Sequence, residues 1–488
     1  MAGANDAERR VDSSSAATFE GEVPDISGGR SGRFTASRAI PLTVGACFFM
    51  EGLDSTIIAT SLPHIAQALH VSASEIGISL TAYLVSVSMW MAASGWLADR
   101  FEPRRIFIAA VLVFMGGSLV CGISQDLAQL VVGRFLQGMG GALMTPVGRL
   151  ILARSFPRDE LVRAMSYMII PGLLGPMLGP IVGGWITTHF EWRWIFFINL
   201  PLGLFGILLA LRHLSRIERG TPAPFDARGF VLVAVALVAL QAGLEVLAAG
   251  HGTDLRAVAA LGAGLLAATL YAVHARKGTP ILDFGLFRFR AFAVAVLGGS
   301  FSRLVLGATM FLFPLYFQLG LGASAVIAGY LMAVLAFGQI ALRLGLDPLL
   351  KKLGIKRLLI VNSAVMAVLL GVLLLFRPGD SFWLLGAFMF LFGLIHSIQL
   401  STLAGLNFSG LPQDALGRAT SVSAVIQRLA MAFGISLTAI LLGAHGGGPQ
   451  PVRADFFLPT LALAAIMVLS IISFLALRQG DGDDLIKK

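Results

Sequence analysis

The chain has 488 residues, of which 56% are hydrophobic and only 13% are charged, whereas soluble domains carry about 25% charged residues. So few charges would not keep a protein of this size in solution, which excludes a disordered chain or a water-soluble enzyme and indicates a membrane protein. The net charge of +9 could indicate nucleic-acid binding, but basic loops beside membrane spans explain it more simply.

The N-terminal segment, residues 1–38, is polar and rich in Ser, Gly and Arg, without the apolar stretch of a signal peptide. We expect a disordered cytoplasmic tail there. Beyond it, apolar runs of about 20 residues with interspersed Gly favour membrane-spanning helices over barrel strands. The sequence thus predicts an all-α integral membrane protein with fourteen spans, near residues 40–62, 77–98, 106–124, 128–152, 164–187, 194–212, 227–248, 256–274, 291–318, 324–346, 357–376, 381–403, 416–443 and 456–477.

The distribution of basic residues predicts the orientation, because cytoplasmic loops of membrane proteins accumulate Lys and Arg. With the N-terminus inside, 28 of the 36 basic residues lie in cytoplasmic loops and tails or at that membrane edge. Both termini are therefore expected in the cytoplasm, in a bacterial inner membrane. Nucleic acid is excluded as a partner because the charge is spread over many short loops. The other eight are Arg193, Arg256, Arg377 and Arg453 in outer loops, and Arg134, Arg303, Arg343 and Arg428 within spans.

An internal repeat indicates two homologous halves. The loops that begin at Gly95 and Gly345 each combine an Asp near a helix end, a short basic turn and the start of an apolar helix. They follow spans 2 and 10, whereas duplication of six helices alone would place the second after span 8, so spans 7 and 8 are read as an inserted hairpin. The predicted domains are a tail (1–38), a six-helix bundle (39–212), the hairpin with its flanking loops (213–290), a second six-helix bundle (291–478) and a tail (479–488).

Five motifs carry a resemblance to a known family. They are LDSTIIATSLP (53–63), GWLADRFEPRR (95–105), GRFLQGMGGALMTP (133–146), GPMLGPIVGG (175–184) and WRWIFFINLPLG (192–203). In this order they resemble the fourteen-helix drug:proton antiporter branch of the major facilitator superfamily. The resemblance implies two helical bundles, small-molecule substrates, and the proton motive force in place of a cofactor.

Charged residues within the spans are the candidates for proton coupling. Glu51 and Asp54 are three residues apart on span 1, and a carboxylate inside a bilayer normally faces an internal cavity. Burial raises the pKa of a carboxyl group and a nearby arginine lowers it, which permits proton binding and release. Arg134 of span 4 is the expected partner, and the resemblance implies a role for it in proton transfer. Two alternatives stay open: Asp54 as a fixed link between spans 1 and 4, and Glu51 as a substrate-facing or cation-selecting residue.

The loop at Gly95 is predicted to act as a conformational latch. Gly95 permits close packing, and Asp99 can pair with Arg104 or Arg105 or with a helix end of the other half. Glu102 stands where the family pattern has glycine, which changes the turn. A loop that only sets topology is the alternative. The latch residues are Gly95, Asp99, Arg100, Arg104, Arg105 and Asp347.

Span 5 carries a glycine- and proline-rich motif that predicts a kinked helix at the interface between the halves. The resemblance associates this motif with antiport, while ordinary small-residue packing is the alternative. Its residues are Gly175, Pro176, Gly179, Pro180, Gly183 and Gly184.

The remaining polar residues in spans are candidates for a substrate cavity, with a structural role as the alternative for each. They are Glu51, Gln137, Arg303, His396, Gln427 and Arg428. The Gly138–Gly141 cluster follows no strand, there is no Walker lysine motif, and no His, Cys and carboxylate spacing indicates a metal site.

The sequence therefore predicts a proton-coupled antiporter, not an enzyme, that exports small amphipathic compounds by alternating access as a monomer in the lipid bilayer. A dedicated exporter of one endogenous metabolite on the same fold is the nearest alternative. A non-transporting membrane sensor or scaffold is a further one, although a scaffold would gain little from charges inside its spans.

Overall fold

The computed structural model describes residues 30–156, 158–214, 224–248, 254–276, 280–341, 352–412, 415–444, 451–478 and 481. The regular structure in these ranges is entirely helical. Fourteen long helices correspond to the predicted spans. They are Arg30–Ala68 (α1), Ile78–Arg100 (α2), Pro103–Gly122 (α3), Leu127–Ser155 (α4), Arg158–His189 (α5), Asn199–His213 (α6), Ala227–Ala248 (α7), Leu255–His274 (α8), Gly299–Leu315 (α9), Ala325–Ala341 (α10), Ile355–Leu373 (α11), Phe382–Leu406 (α12), Leu416–Gly443 (α13) and Phe457–Leu475 (α14).

Twelve of these helices, within the described ranges, are long and apolar enough to cross a membrane. The other two are α10, of which 17 residues are described, and α4, where Arg134, Gln137 and several glycines dilute the apolar residues. Shorter helical segments adjoin α9, so its span covers Arg290–Gly320. The predicted all-α class with fourteen helices is confirmed.

The N-terminal helix is longer than the sequence predicted. α1 begins at Arg30, so it extends into the segment 1–38 that was expected to be disordered. Once the span has nucleated a helix, each further residue adds a hydrogen bond without a new nucleation step. The rest of that predicted tail, residues 1–29, lies outside the described residues.

Helix packing repeats with an offset of eight helices. In the first half α1 packs on α5, α2 on α4 and α3 on α6. In the second half α9 packs on α13, α10 on α12 and α11 on α14. The bundles α1–α6 and α9–α14 therefore share one packing pattern, as two homologous halves with an insertion between them require.

The inserted hairpin, α7 and α8, is attached to both bundles through α7, which packs on α2 and α13. Near the end of α7, the buried Glu245 carboxylate accepts hydrogen bonds from Thr81 Oγ1 of α2 at 2.8 Å and Ser436 Oγ of α13 at 2.9 Å. Gln241 Nε2 of α7 donates to the same oxygen at 2.7 Å. This carboxylate therefore joins the hairpin to one helix of each bundle.

The two membrane sides are defined here by the helix ends. The tail side is the one on which α1 begins, and the far side is the opposite one. Because successive spans alternate in direction, α5 ends and α10 begins on the far side. There the bundles approach closely: a Cβ added at Gly184 of α5 would lie closer than 3.0 Å to the Ala325 carbonyl oxygen of α10. Gln318 Nε2, just after α9, also donates to the Thr60 carbonyl oxygen of α1 at 2.9 Å.

Candidate functional site

A buried polar cluster lies inside the first bundle. Asp54 of α1 accepts hydrogen bonds from Arg134 Nη1 at 2.7 Å and Gln137 Nε2 at 2.9 Å, both of α4. Asn199 Nδ2 of α6 donates to the same carboxylate at 2.6 Å, and Ser118 Oγ of α3 accepts from both amides. All five side chains are fully buried. The cluster therefore joins four helices of one bundle around the Asp54–Arg134 pair.

Arg134 has its charge compensated within this cluster. Besides Asp54, its Nε donates to the Ser79 carbonyl oxygen at 3.3 Å, and its guanidinium carbon lies 4.5 Å from the centroid of the Tyr83 ring. Within the described residues, Arg134 Nη2 and Asn199 Oδ1 are buried without a hydrogen-bond partner. Removal of one charge from a buried pair typically destabilises a protein by about 3–5 kcal/mol. This pair therefore holds α1 against α4 in the present conformation.

A cavity of about 520 Å³ lies between the two bundles. Its walls are mostly apolar and include side chains of α1, α4 and α5 on one side and α9, α10, α12 and α13 on the other. The lining of α4, and most of that of α10, belongs to the halves of these helices nearer the tail side, the lining of α5 lies around the middle of its helix, and the bundles meet on the far side. The charged or titratable lining residues are Glu51, Tyr83, Arg149, His396 and Arg428. Apolar lining residues include Phe48, Met168, Met310, Met332 and Phe392.

Glu51 is the carboxylate of this cavity. Its Oε2 accepts a hydrogen bond from Thr145 Oγ1 of α4 at 2.9 Å. The positive charge that acts on it most strongly is Arg428, which belongs to α13 of the other bundle, although the two do not form an ion pair in the described structure. Glu51 and Asp54 thus have different surroundings: the first faces the cavity, and the second faces the interior of its own bundle, contrary to the expectation that both face a cavity.

His396 lies on the opposite wall and is almost fully buried. Its Nδ1 is 2.8 Å from Gln339 Nε2, an amide nitrogen that can only donate, so Nδ1 accepts and the ring proton of the neutral imidazole is assigned to Nε2. Nε2 has no hydrogen-bond partner among the described residues. The positive charge of Arg303 of α9 acts on this ring.

The predicted cavity residues are therefore divided between two places. Glu51, His396 and Arg428 line the cavity. Gln137, predicted to line it, belongs instead to the buried cluster, because its amide is held by Asp54, Arg134 and Ser118. Of the remaining two, Gln427 donates to Ser423 Oγ of its own helix, and neither it nor Arg303 is among the described lining residues.

The glycine motif of α5 faces two helices. Added Cβ atoms at Gly175, Gly179 and Gly183 would each lie closer than 3.0 Å to the backbone of α1. Gly184, the next residue, faces α10 instead, where Gly329 in turn approaches the Pro180 carbonyl oxygen. Four-residue spacing thus lets α1 pack closely against α5, and the remaining small residues let the second bundle approach.

Comparison with known proteins agrees with this architecture. The family model described as Major Facilitator Superfamily matches residues 44–435. The chain belongs to the major facilitator superfamily. It is a multi-pass membrane transporter.

Relatives within the superfamily include the multidrug resistance protein MdtD of Klebsiella pneumoniae strain 342, which is 35% identical over 435 residues, covering 88% of this chain and 92% of that protein. MdtD of Pectobacterium carotovorum subsp. carotovorum strain PC1 is 33% identical over 437 residues, covering 88% and 93%. Among solved structures, a POT family transporter in complex with 5-aminolevulinic acid has a TM-score of 0.68 at 14% identity, covering 93% of this chain and 97% of that one. A D-xylose–proton symporter has a TM-score of 0.64 at 16% identity, covering 90% and 96%. At these identities the structures show the superfamily fold alone.

The loop that carries the predicted latch differs from the expectation. An added Cβ at Gly95 meets no described atom within 4 Å, so the predicted close packing is not present there. Arg104 Nη2 donates to the Leu211 carbonyl oxygen near the end of α6 at 2.8 Å, a position where the helix dipole favours a cation. Glu102 pairs with Arg105 at 2.9 Å. Arg100 is exposed; the Asp99 side chain and all of Asp347 lie outside the described residues.

Several polar residues of the site were not predicted. Asn199 donates to Asp54, Ser118 accepts from the amides of Asn199 and Gln137, and Thr145 and Gln339 contact Glu51 and His396. Asn199 had a signal in the sequence, because a lone amide inside an apolar span needs a polar partner. Ser118 and Thr145 had no such signal, since Ser and Thr hydroxyls commonly donate a hydrogen bond to a backbone carbonyl of their own helix.

Proposed function

We propose that this transporter is a proton-coupled secondary active antiporter that exports small amphipathic compounds across the bacterial inner membrane. The observation that carries the proposal is a carboxylate, Glu51, in an apolar cavity between two bundles, one helical turn from the buried Asp54–Arg134 pair. The name of the MdtD relatives supports multidrug export. The proton motive force supplies the energy, and no cofactor is required.

The proposed direction follows from the distribution of basic residues, which assigns the tail side to the cytoplasm. Contacts such as Gly184 with Ala325 and Gln318 with Thr60 join the bundles on the far side, while the cavity lining includes Arg149 near the tail-side end of α4. We therefore assign this conformation as inward-facing and ready to load substrate from the cytoplasm. Rocking of the bundles about the cavity would open the far side and release the substrate outside.

Glu51 is the proposed exchange point of the proton. It reaches the cavity, so it can bind either a proton or a positively charged part of a substrate, but not both at once. This exclusion is the requirement for antiport. Asp54 is affected only indirectly by binding in the cavity, because the negative charge of Glu51 on the same helix acts on it. Arg134 Nη1 donates a hydrogen bond to the Asp54 carboxylate at 2.7 Å and holds it in place.

Transport by everted membrane vesicles carrying a pH-sensitive dye tests this proposal. Compounds selected by a growth-inhibition panel in a pump-deficient strain should dissipate the proton gradient in wild-type vesicles. Glu51→Gln should abolish that response, and Asp54→Asn should reduce it strongly. Glu191→Gln, which alters an exposed carboxylate paired with Arg193 in a loop, serves as the matched control and should behave as wild type.

Two results would count against the proposal. If no exported compound ever dissipates the gradient, proton coupling is wrong. If Glu51→Gln and Asp54→Asn both match the control, these residues do not carry the proton. Resistance to a single compound across the panel would identify a dedicated exporter rather than a multidrug transporter.

A further inference from the structure

The arginines inside the membrane differ in whether their charge is compensated. Arg134 has a buried carboxylate at 2.7 Å. In the described structure, Arg303 of α9 and Arg428 of α13 make no hydrogen bond and no ion pair, although both are partly buried between the bundles. An uncompensated charge within a membrane is costly, and such residues characteristically mark substrate or ion pathways. No carboxylate among the described side chains therefore forms an ion pair with Arg303 or Arg428.

Arg428 and His396 line the same wall of the cavity, and Arg303, outside the described lining, belongs to the same bundle. Arg428 lines the cavity, its charge acts on Arg303, and Arg303 acts in turn on His396. His396 contributes a buried Nε2–H that has no partner, because Gln339 occupies its other nitrogen. The Arg428 guanidinium and the His396 N–H on one wall, with the charge of Arg303 acting on the imidazole, match the needs of a carboxylate, which accepts several donors at once.

The facing wall carries a carboxylate, Glu51, together with Arg149, which is exposed and lies nearer the tail-side end of α4. Glu51 belongs to the other bundle, and its oxygen accepts from Thr145 while Arg428 attracts it from across the cavity without contact. A carboxylate in this position suits a protonated amine. Between the two charged walls the lining is apolar, with Met168, Met310 and Phe392 among its members, and methionine adapts readily to differently shaped apolar groups.

We propose that the cavity binds amphoteric compounds, which carry a protonated amine and a carboxylate on an apolar body. The amine is placed at Glu51, and the carboxylate at Arg428 and His396, with the charge of Arg303 adding to the attraction. This inference rests on the proposed function and names its substrate class. It also agrees with antiport, because the ammonium group and the proton compete for Glu51. A purely anionic substrate would instead occupy Arg428, remove the attraction that Arg428 exerts on Glu51, and leave no competition with the proton.

Equilibrium binding to the purified full chain in lipid nanodiscs tests the inference without any proton gradient. Three probes of nearly equal size separate the charges: 4-(aminomethyl)benzoate carries both, 4-methylbenzylamine only the positive one, and 4-methylbenzoate only the negative one. By isothermal titration calorimetry, 4-(aminomethyl)benzoate should bind about tenfold or more tightly than either other probe, as expected for an additional charge-assisted hydrogen bond. Equal affinity of the amine and the amphoteric probe would overturn the inference, and this comparison needs no variant.

Variants then assign each charge to its wall. Arg428→Gln should remove the advantage of the amphoteric probe over the amine, and Arg428→Lys should restore part of it. Glu51→Gln should remove its advantage over 4-methylbenzoate. Arg212→Gln, an exposed arginine on the tail side, is the control and should change nothing. If Arg428→Gln weakens all three probes equally, the arginine acts on the fold and the assignment fails.

The outcomes separate this inference from the proposed function. Preferential binding of the amphoteric probe without proton movement in vesicles would leave the substrate class standing and refute the coupling. Proton-coupled export of compounds that carry only a positive charge, with no preference among the three probes, would support the coupling and refute the substrate class.

Discussion

Two adjacent glycines of α5 provide a test of which contacts belong to the fold and which to one conformation. An added Cβ at Gly183 would come closer than 3.0 Å to the Ile57 carbonyl oxygen of α1, in the same bundle. At Gly184 it would come equally close to Ala325 of α10, in the other bundle. Real Cβ atoms essentially never lie that near to another heavy atom, so in each case the two helices must separate.

The same alanine substitution should therefore have two different effects. Overpacking of a well-packed contact costs about 1–3 kcal/mol. For Gly183→Ala this cost falls on every state in which the first bundle is folded, so the free energy of unfolding decreases by that amount. For Gly184→Ala it falls only on the state in which the far side is closed. The equilibrium should then shift toward far-side opening by about 5- to 150-fold.

Spin labels measure this shift directly. Gln125 and Ser381 are exposed on the far side of the first and second bundle, and both native thiols, Cys47 and Cys121, are buried, so cysteines introduced at the two positions can be labelled selectively. Double electron–electron resonance should show longer distances for Gly184→Ala, with a smaller decrease of the unfolding temperature than for Gly183→Ala. Gly183→Ala should lower the unfolding temperature and leave the distances as in the wild type. Equal destabilisation by both variants, with unchanged distances, would refute the reasoning.

Three further changes have expected outcomes. Arg134→Leu should lower the free energy of unfolding by about 3–5 kcal/mol, because Asp54 keeps an uncompensated charge; chemical denaturation should show partial recovery when Asp54→Asn is added, and no recovery would contradict the pair. Glu245→Gln should be nearly neutral in thermal unfolding, whereas Glu245→Leu, which leaves its buried donors unsatisfied, should cost about 1–3 kcal/mol; equal effects would contradict the hydrogen-bonded role. The hydrogen bond from Arg290 holds the pKa of Asp481 below its ordinary value. The pair should therefore stabilise the protein at neutral pH and lose this contribution as the pH falls through the lowered pKa of Asp481; Arg290→Gln should then destabilise the protein at pH 7 and do so less in acid.

The architecture could be predicted from the sequence because its signals are local or repeated. A run of about 20 apolar residues must form a helix in lipid, since every backbone polar group needs an internal partner. The recurring loops at Gly95 and Gly345 in the sequence predicted the insertion. Pairing of Asp54 with Arg134 was also predictable, because two opposite charges in separate spans stabilise one another far more than either is stabilised alone.

The sequence could not predict that Glu51 lines the cavity while Asp54 belongs to the buried cluster, because this depends on which side of α1 each residue faces. Three residues along a helix correspond to a rotation of about 300°, so Glu51 and Asp54 lie about 60° apart around its axis. That angle is enough to place one in the cavity and the other in the bundle interior. Glu245 was not recognised either, because its partners are neutral hydroxyl and amide groups of helices distant in sequence, and no opposite charge marks them.

The same 60° separation allows α1 to connect the cavity with the bundle interior. Residues at this spacing on a helix have Cβ atoms about 5–6 Å apart, and two like charges at that distance repel by about 3 kcal/mol at the effective dielectric constant of roughly 20 found in proteins. In the proposed mechanism, a proton or an ammonium group bound at Glu51 removes that repulsion from Asp54, which Arg134, Gln137 and Asn199 hold in place. A change of about 1.4 kcal/mol alters a conformational equilibrium tenfold, so occupation of the cavity alone is sufficient to bias the pair that fastens α1 to α4. If Glu51 and Asp54 both faced the cavity, the carboxylate that exchanges a proton for an ammonium group would no longer be separate from the carboxylate that stays paired with Arg134.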